Sequence, residues 1–172
     1  MIITIDGWPG AGKTSLADHM AQTFADRGST FIVHMDDLYQ GWSDPLGAEL
    51  THSLEAIAAA HRAAQEFTFN AYDWNNDRPG EEITIPPVDC LILEGVGSGQ
   101  QAIRDYVETK IWVEIEPIVG LRRVLDRDGA KVVNLDEFEE KMRIFIDQAA
   151  AHFAAEATLF AADFEVNGQS NL

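Results

Sequence analysis

Basic residues are scarce in this 172-residue chain: 12 Lys and Arg stand against 29 Asp and Glu, a formal net charge of −17. That balance argues against a general binder of nucleic-acid polymers, whose affinity rests on cations at phosphates. It argues equally against docking on an anionic membrane. A nucleotide ligand stays open, because a nest of backbone N–H groups and a few local cations hold one. Cysteine is nearly absent. Cys90 is the only one, so an intramolecular disulfide is excluded, and its apolar surroundings read as core. The five histidines (His19, His34, His52, His61, His152) are scattered with no metal-site spacing. No apolar run approaches a membrane-spanning length. No basic leader precedes the first strand, so a cytoplasmic setting is expected. Internal repeats, low-complexity blocks and interdomain linkers are also missing, and one domain over residues 1–172 is expected.

What is present alternates between two periodicities. Met1 to Ile5, Thr30 to Met35, Asp89 to Glu94, Lys110 to Ile115 and Phe164 to Val166 are short apolar runs that read as strands. Between them, Lys13 to Arg27 carries Leu16, Met20 and Phe24 at helical spacing, with Gly28 as a stop. Ala48 to Glu66 and Ser98 to Val107 also read as helices, and Pro117 suits a helix first turn. Asp136 with Glu139 reads as a capping box for a long helix to about Phe160, with Ile144, Ala151 and Leu159 along it. Residues 67–87 read as a small hairpin or lobe, 126–135 as a short charged lid, and Gln169 to Leu172 as a frayed end. Strands alternating with helices imply a doubly wound α/β/α sandwich of three layers around a five-stranded parallel sheet, with ligands beyond the carboxyl ends of the strands.

One stretch organises that edge. Gly7-Trp8-Pro9-Gly10-Ala11-Gly12-Lys13-Thr14 fits G-x-x-x-x-G-K-[ST], directly after a strand and directly before a helix. In that context the loop amides, Ser15 included as the helix begins, face one phosphate chain. Lys13 reaches the β- and γ-phosphates, and the Thr14 hydroxyl suits Mg²⁺. ATP with Mg²⁺ is the implied ligand, and a P-loop NTPase fold is expected. Phosphoryl transfer also needs a group to orient the attacking hydroxyl, and Asp36, at the end of the second strand, is the candidate base. Its neighbour Asp37 points elsewhere if the chain is still extended there. Glu94 ends the third apolar strand, placed to hold metal through water or to contact the acceptor. Arg127, and behind it Arg123, are candidates to neutralise the moving phosphoryl group, or they line a solvated helix face. Tyr39, Trp42, Tyr72 and Trp74 either stack on a ring-shaped acceptor or fill lobe contacts. With Asp44, they mark the acceptor half. No Asn-Lys-x-Asp guanine reader occurs, which disfavours a GTPase-like switch; a P-loop protein that binds ATP without catalysis remains the alternative.

Several stretches together resemble the uridine kinase and phosphoribulokinase branch of P-loop kinases. They are Gly7 to Ser15, Met35-Asp36-Asp37-Leu38-Tyr39, Ala71-Tyr72-Asp73-Trp74, Asp89 to Gly95, Leu121 to Asp128, and Ala162 to Asn167. The resemblance implies a kinase that moves the ATP γ-phosphate onto a small hydroxyl acceptor, a nucleoside such as uridine or cytidine first among them, or else another small metabolite. It implies Asp36 as base on a ribose-type hydroxyl, Lys13 and Thr14 serving ATP·Mg²⁺, Tyr72 at the acceptor, Glu94 near metal and acceptor, Arg127 in the lid, and Asn167 beside the adenine. Oligomeric state, a homo-oligomer included, is left open.

Overall fold

The computed structural model describes residues 1–169; the expected frayed end lies, from residue 170 on, outside the described residues. The order is β1 (Ile2–Gly7), α1 (Lys13–Phe24), β2 (Thr30–His34), α2 (Met35–Leu38), α3 (Ala48–Arg62), β3 (Phe67–Asp73), β4 (Arg78–Ile85) and β5 (Cys90–Glu94). A 3₁₀ turn (Gln101–Tyr106), β6 (Thr109–Glu114), α4 (Pro117–Asp128), a second 3₁₀ turn (Gly129–Lys131), α5 (Leu135–Glu156), α6 (Thr158–Ala161) and β7 (Phe164–Asn167) follow. Five strands form one parallel sheet in the order β2-β5-β1-β6-β7, and β3 with β4 makes a separate antiparallel hairpin.

The central strands are mostly apolar because both faces are covered. Along β1, Ile2 belongs to one core cluster while Ile3 and Ile5 belong to the other. The same alternation separates Leu91 and Leu93 from Cys90 and Ile92, and Trp112 from Ile111 and Val113. One face packs on Leu16, Ala17, Met20 and Phe24 of α1. The other packs on Leu50, Leu54 and Ile57 of α3 and on Met142, Phe145 and Phe153 of α5. Cys90 is buried as expected of a small core residue.

Local expectations needed correction in several places. Helix α1 ends at Phe24 rather than at Arg27, with turns closing through Ala25 and Arg27, and α3 stops at Arg62 rather than Glu66. Only a 3₁₀ turn forms at Gln101–Tyr106, where a helix is expected. Helix α4 continues through Arg127 to Asp128, so the expected lid loop begins three residues later, at Gly129, and opens with another 3₁₀ turn. Helix α5 is capped by Asn134, whose side-chain oxygen accepts from the Glu137 amide at 3.3 Å, leaving Asp136 inside the first turn. The buried stripe of the helix runs along Met142, Phe145, Ala149 and Phe153, while Ile144, Ala151 and Leu159 of the expected stripe are exposed. The helix also breaks at Ala157, in left-handed conformation, before α6.

Candidate active site

The phosphate loop leaves β1 at the centre of the sheet and enters α1 through Gly12, the N-cap. Its backbone touches α4 directly. A Cβ on Gly10, at φ +72°, would fall 2.3 Å from the Gly120 carbonyl oxygen, so only glycine lets the loop lie this close to the neighbouring helix. Lys13 is buried, and its ammonium donates to the Gly7 carbonyl at 3.0 Å and the Trp8 carbonyl at 2.8 Å. Burial lowers its pKa, and the charges of Glu94, Asp6 and Asp36 oppose that.

Around this loop opens a cleft of about 1060 Å³. Residues 9–15 of the loop form its floor, with Asp36, Glu94, Gly95 and Val96 beside them. Glu94 is buried at the end of β5, where its Oε1 accepts from the Thr14 hydroxyl at 3.1 Å and lies 2.5 Å from His34 Nδ1. The hydrogen bond to Glu94 raises the His34 pKa. Asp36 keeps an exposed surface toward the cleft. Protein packed around that cleft nevertheless raises its pKa; the Glu94 charge adds to this, and Lys13 and Arg127 oppose it. A carboxylate at the bottom of a deep cleft has both properties, wetted on one side and crowded on the others. Asp36-Asp37 sits in the short helix α2, not in extended chain, and Asp37 is absent from the cleft lining.

One wall of the cleft is aromatic. Trp42 and Trp74 meet edge to face at 5.1 Å, Tyr39 lies 6.4 Å from Trp74, and Phe138 and Phe145 of α5 back Trp42 at 6.3 and 6.4 Å. The Trp74 indole donates to the Asp36 carbonyl at 3.0 Å, tying the hairpin to the turn that carries the acid. The Tyr39 ring borders the cleft, but its hydroxyl is buried and donates to the Val96 carbonyl at 2.7 Å. Elsewhere the lining is charged. Arg127 and Lys131 share the Asp128 carboxylate, at 2.6–2.9 Å, and Lys141 pairs with Glu137 at 2.7 Å. Arg123 donates to the Gly168 carbonyl at 2.7 Å and less closely, at 3.4 Å, to the Gly10 carbonyl, fastening the end of β7 to the phosphate loop.

The structure therefore gathers Gly10, Ala11, Gly12, Lys13, Thr14, Ser15, Asp36, Tyr39, Trp74, Glu94, Arg123 and Arg127 in one cleft. It does not bring Asp44, Tyr72 or Asn167 to that lining. Asp44 is exposed in the turn before α3. The Tyr72 hydroxyl is taken by Asp77 and its ring packs on Trp74 at 5.0 Å. The Asn167 side chain accepts from the Gln169 amide, and its neighbour Gly168 lines the cleft instead. Gly7 lies beneath, its amide held by Asp6.

No family model matches the chain. A uridine kinase of Leuconostoc citreum is 25% identical over 166 residues, which cover 88% of this chain and 76% of that protein. A cytidylate kinase of Methanococcoides burtonii is 27% identical over 151 residues, 88% of this chain and 73% of that one. A solved structure described as a possible uridine kinase from Bacillus stearothermophilus superposes with a TM-score of 0.68 at 18% identity, covering 96% of this chain and 88% of its own. The chain is similar to uridine kinase-like P-loop kinases. The three-layer P-loop fold extends to a shikimate kinase from Bacteroides thetaiotaomicron, with a TM-score of 0.55 at 16% identity over 98% of this chain and 86% of that one.

Within that P-loop kinase fold, Thr14 Oγ1 and Glu94 Oε1 are hard oxygen donors of the type Mg²⁺ takes, side by side at the phosphate loop. No group of three or more His, Cys, Asp or Glu among the described residues could hold a metal alone. The donor set thus fits an ion that takes its remaining ligands from phosphate and water. Two residues of the site escape a reading by motif. Asp6 is a buried acid inside an apolar strand, and that incongruity is its only signal. His34 shows no signal beyond its place at the end of β2.

Proposed function

We propose that this chain is an ATP-dependent small-molecule kinase that transfers the γ-phosphate to a hydroxyl of an uncharged, ring-bearing acceptor, with nucleosides such as uridine or cytidine the first candidates. The observation that carries the reading is the shared cleft: phosphate loop, Asp36 and the Tyr39–Trp42–Trp74 wall open on one space. The loop amides and Lys13 bind and orient the triphosphate. Asp36 accepts the proton of the attacking hydroxyl, which makes that hydroxyl a better nucleophile as its proton leaves. Arg127 meets the charge that develops on the moving group. Thr14 and Glu94 would hold Mg²⁺, which when bound would supply neutralisation of the phosphate charge. The aromatic wall offers ring faces to the acceptor.

The cytidylate kinase relative favours a second reading, a phosphorylated acceptor. The charge layout supports the first. Apart from Lys13, the cations of the cleft lining are Arg123, Arg127, Lys131 and Lys141, all from α4, the turn after it, and α5. The hairpin and the Asp36 to Pro45 stretch add none, and a phosphate on the acceptor wants a bidentate arginine there. ATP consumption measured across nucleosides, nucleoside monophosphates and other hydroxylated metabolites tests both. Turnover with a nucleoside and none with its monophosphate is expected; ATP binding without turnover on any acceptor sinks the kinase reading. Asp36→Asn is expected to lower kcat by about 10²-fold or more with ATP affinity retained, and unchanged turnover removes Asp36 from the chemistry.

A further inference from the structure

Asp6 is the one buried acid of the sheet that the proposed chemistry leaves idle. It sits at the end of β1, next to the phosphate loop, with 1% of its surface exposed. Its Oδ1 accepts from the Gly7 amide at 2.7 Å and from the Gly97 amide at 3.0 Å, and its Oδ2 accepts from the Gly99 amide at 2.9 Å. Both oxygens are acceptors of backbone amides. Burial pushes its pKa up, and the three amides and Lys13 oppose that. A buried carboxylate is costly unless it is fully hydrogen-bonded, and this one is spent on backbone rather than on a counter-charge.

What those amides connect is specific. Gly7 opens the phosphate loop. Gly97 and Gly99 belong to the segment that follows Glu94, packed tightly enough that a Cβ on Gly99 would lie 3.2 Å from Asp6 Oδ2 and 3.0 Å from Thr158 Cγ2. In the same segment the Val96 carbonyl accepts the buried Tyr39 hydroxyl. Gly95 lies against Met35, where an added Cβ would sit 2.6 Å from the Met35 Cβ. Met35 and Tyr39 bracket Asp36, and the Tyr39 amide closes that turn on the Met35 carbonyl at 3.1 Å. An unbroken path of short contacts therefore runs from the phosphate loop through Asp6 and residues 95–99 to the turn that carries Asp36.

The geometry points to Asp6 as a positioning residue that fixes the turn carrying Asp36 against the phosphate loop, setting the donor-to-acceptor separation. The inference deepens the kinase reading, since that separation matters only if Asp36 works beside the triphosphate. A misplacement of the order of 1 Å costs about 10²-fold in an oriented reaction while leaving each half-site able to bind. Asp6→Asn keeps the shape but turns an NH₂ toward at least one of the three donors.

Two measurements test it. Amide hydrogen exchange needs no turnover, so it stands apart from the kinase reading. In Asp6→Asn, exchange is expected to quicken about tenfold or more at residues 36–40 and 96–99, with the β1–β6 ladder unchanged. A uniform loss of protection, or none at 36–40, overturns the inference. Steady-state kinetics then read the consequence: kcat falls about tenfold or more with the KM values for ATP and acceptor unchanged, whereas a matching rise in KM overturns it. Tyr39→Phe breaks the far end of the path without touching Asp6 and serves if Asp6→Asn does not fold. It is expected to loosen residues 36–40 and leave the Gly99 amide protected; an unaltered 36–40 turn in that variant also overturns the proposal.

Discussion

Replacing a helical glycine with alanine ordinarily stabilises a protein by about 1 kcal/mol, and at Gly120 the sign should reverse. Gly120 lies in the first turns of α4, without the positive φ that would penalise alanine. Its obstacle is steric. A Cβ there would stand 2.2 Å from the Pro9 carbonyl oxygen and 3.4 Å from Ile115 Cγ2. An ordinary carbon–oxygen contact needs about 1 Å more, and the obstructing atom is backbone, so the phosphate loop and α4 must separate. Overpacking of this kind costs about 1–3 kcal/mol. A backbone obstacle puts the cost near the top of that range, and less the ~1 kcal/mol of helix propensity it leaves a net destabilisation of about 2 kcal/mol, which lowers the melting temperature by about 4–8 °C for a domain of this size. Gly10 presses on the Gly120 carbonyl from the other side, so the separation also deforms the triphosphate site, and ATP affinity should fall with stability. Thermal melts with and without ATP, beside calorimetric ATP titration, make the measurement. Gly129→Ala is the control, because its Cβ meets only the movable end of Leu135 at 2.8 Å, and it should be near neutral. A Gly120→Ala protein as stable as the parent, with unchanged ATP affinity, would falsify the view that backbone-to-backbone packing shapes the phosphate loop.

Trp74→Leu removes a ring from the acceptor wall and the indole bond to the Asp36 carbonyl. The acceptor KM should rise by about tenfold and kcat should fall, with the KM for ATP unchanged; an unchanged acceptor KM places the ring outside the acceptor site. The His34–Glu94 contact gives a pH signature. Bonding to Glu94 raises the His34 pKa from its ordinary value of 6.5, so its contribution to stability is full below that value and is lost as pH rises through the raised one. The difference in melting temperature between parent and His34→Ala should therefore be largest in mildly acidic solution and shrink toward alkaline pH. A gap that widens with pH contradicts the assignment. Asp36 has a raised pKa as well, and a base works only when ionised. The pH profile of kcat/KM should rise through an acidic limb that Asp36→Asn abolishes, and a limb that survives the substitution belongs to another group.

The donor half of the cleft was legible in the chain because its residues are contiguous and local. A strand, a glycine-rich turn and a helix start within fourteen residues, and their chemistry needs no knowledge of tertiary packing. Asp36 and Glu94 were legible for a related reason: each ends an apolar strand, and parallel strands deliver their carboxyl ends to one edge. The acceptor half was less so. Tyr72 and Trp74 are two residues apart and equally aromatic, yet only Trp74 lines the cleft, because Asp77 takes the Tyr72 hydroxyl. Nothing in their spacing separates them. Asp136 with Glu139 has the spacing of a capping box, yet the cap of α5 is Asn134, whose side chain accepts the Glu137 amide.

Asp6 shows where such reading stops. An acid in an apolar strand is locally a conflict, since its burial is unfavourable until partners are supplied. Those partners are backbone amides from residues 97 and 99, more than ninety positions away, and glycine amides carry no side-chain signature. The conflict itself was the only available signal. An acid that breaks the local rule inside a mostly apolar strand marks a place where the fold is under an extra requirement. Here the requirement is to hold two loops that meet only in space. The phosphate loop and the segment after β5 leave adjacent parallel strands in the same direction, with no hairpin to join them. A carboxylate with two oxygens and fixed geometry can bind amides from both, and an apolar residue at position 6 would leave Gly97 and Gly99 without these acceptors.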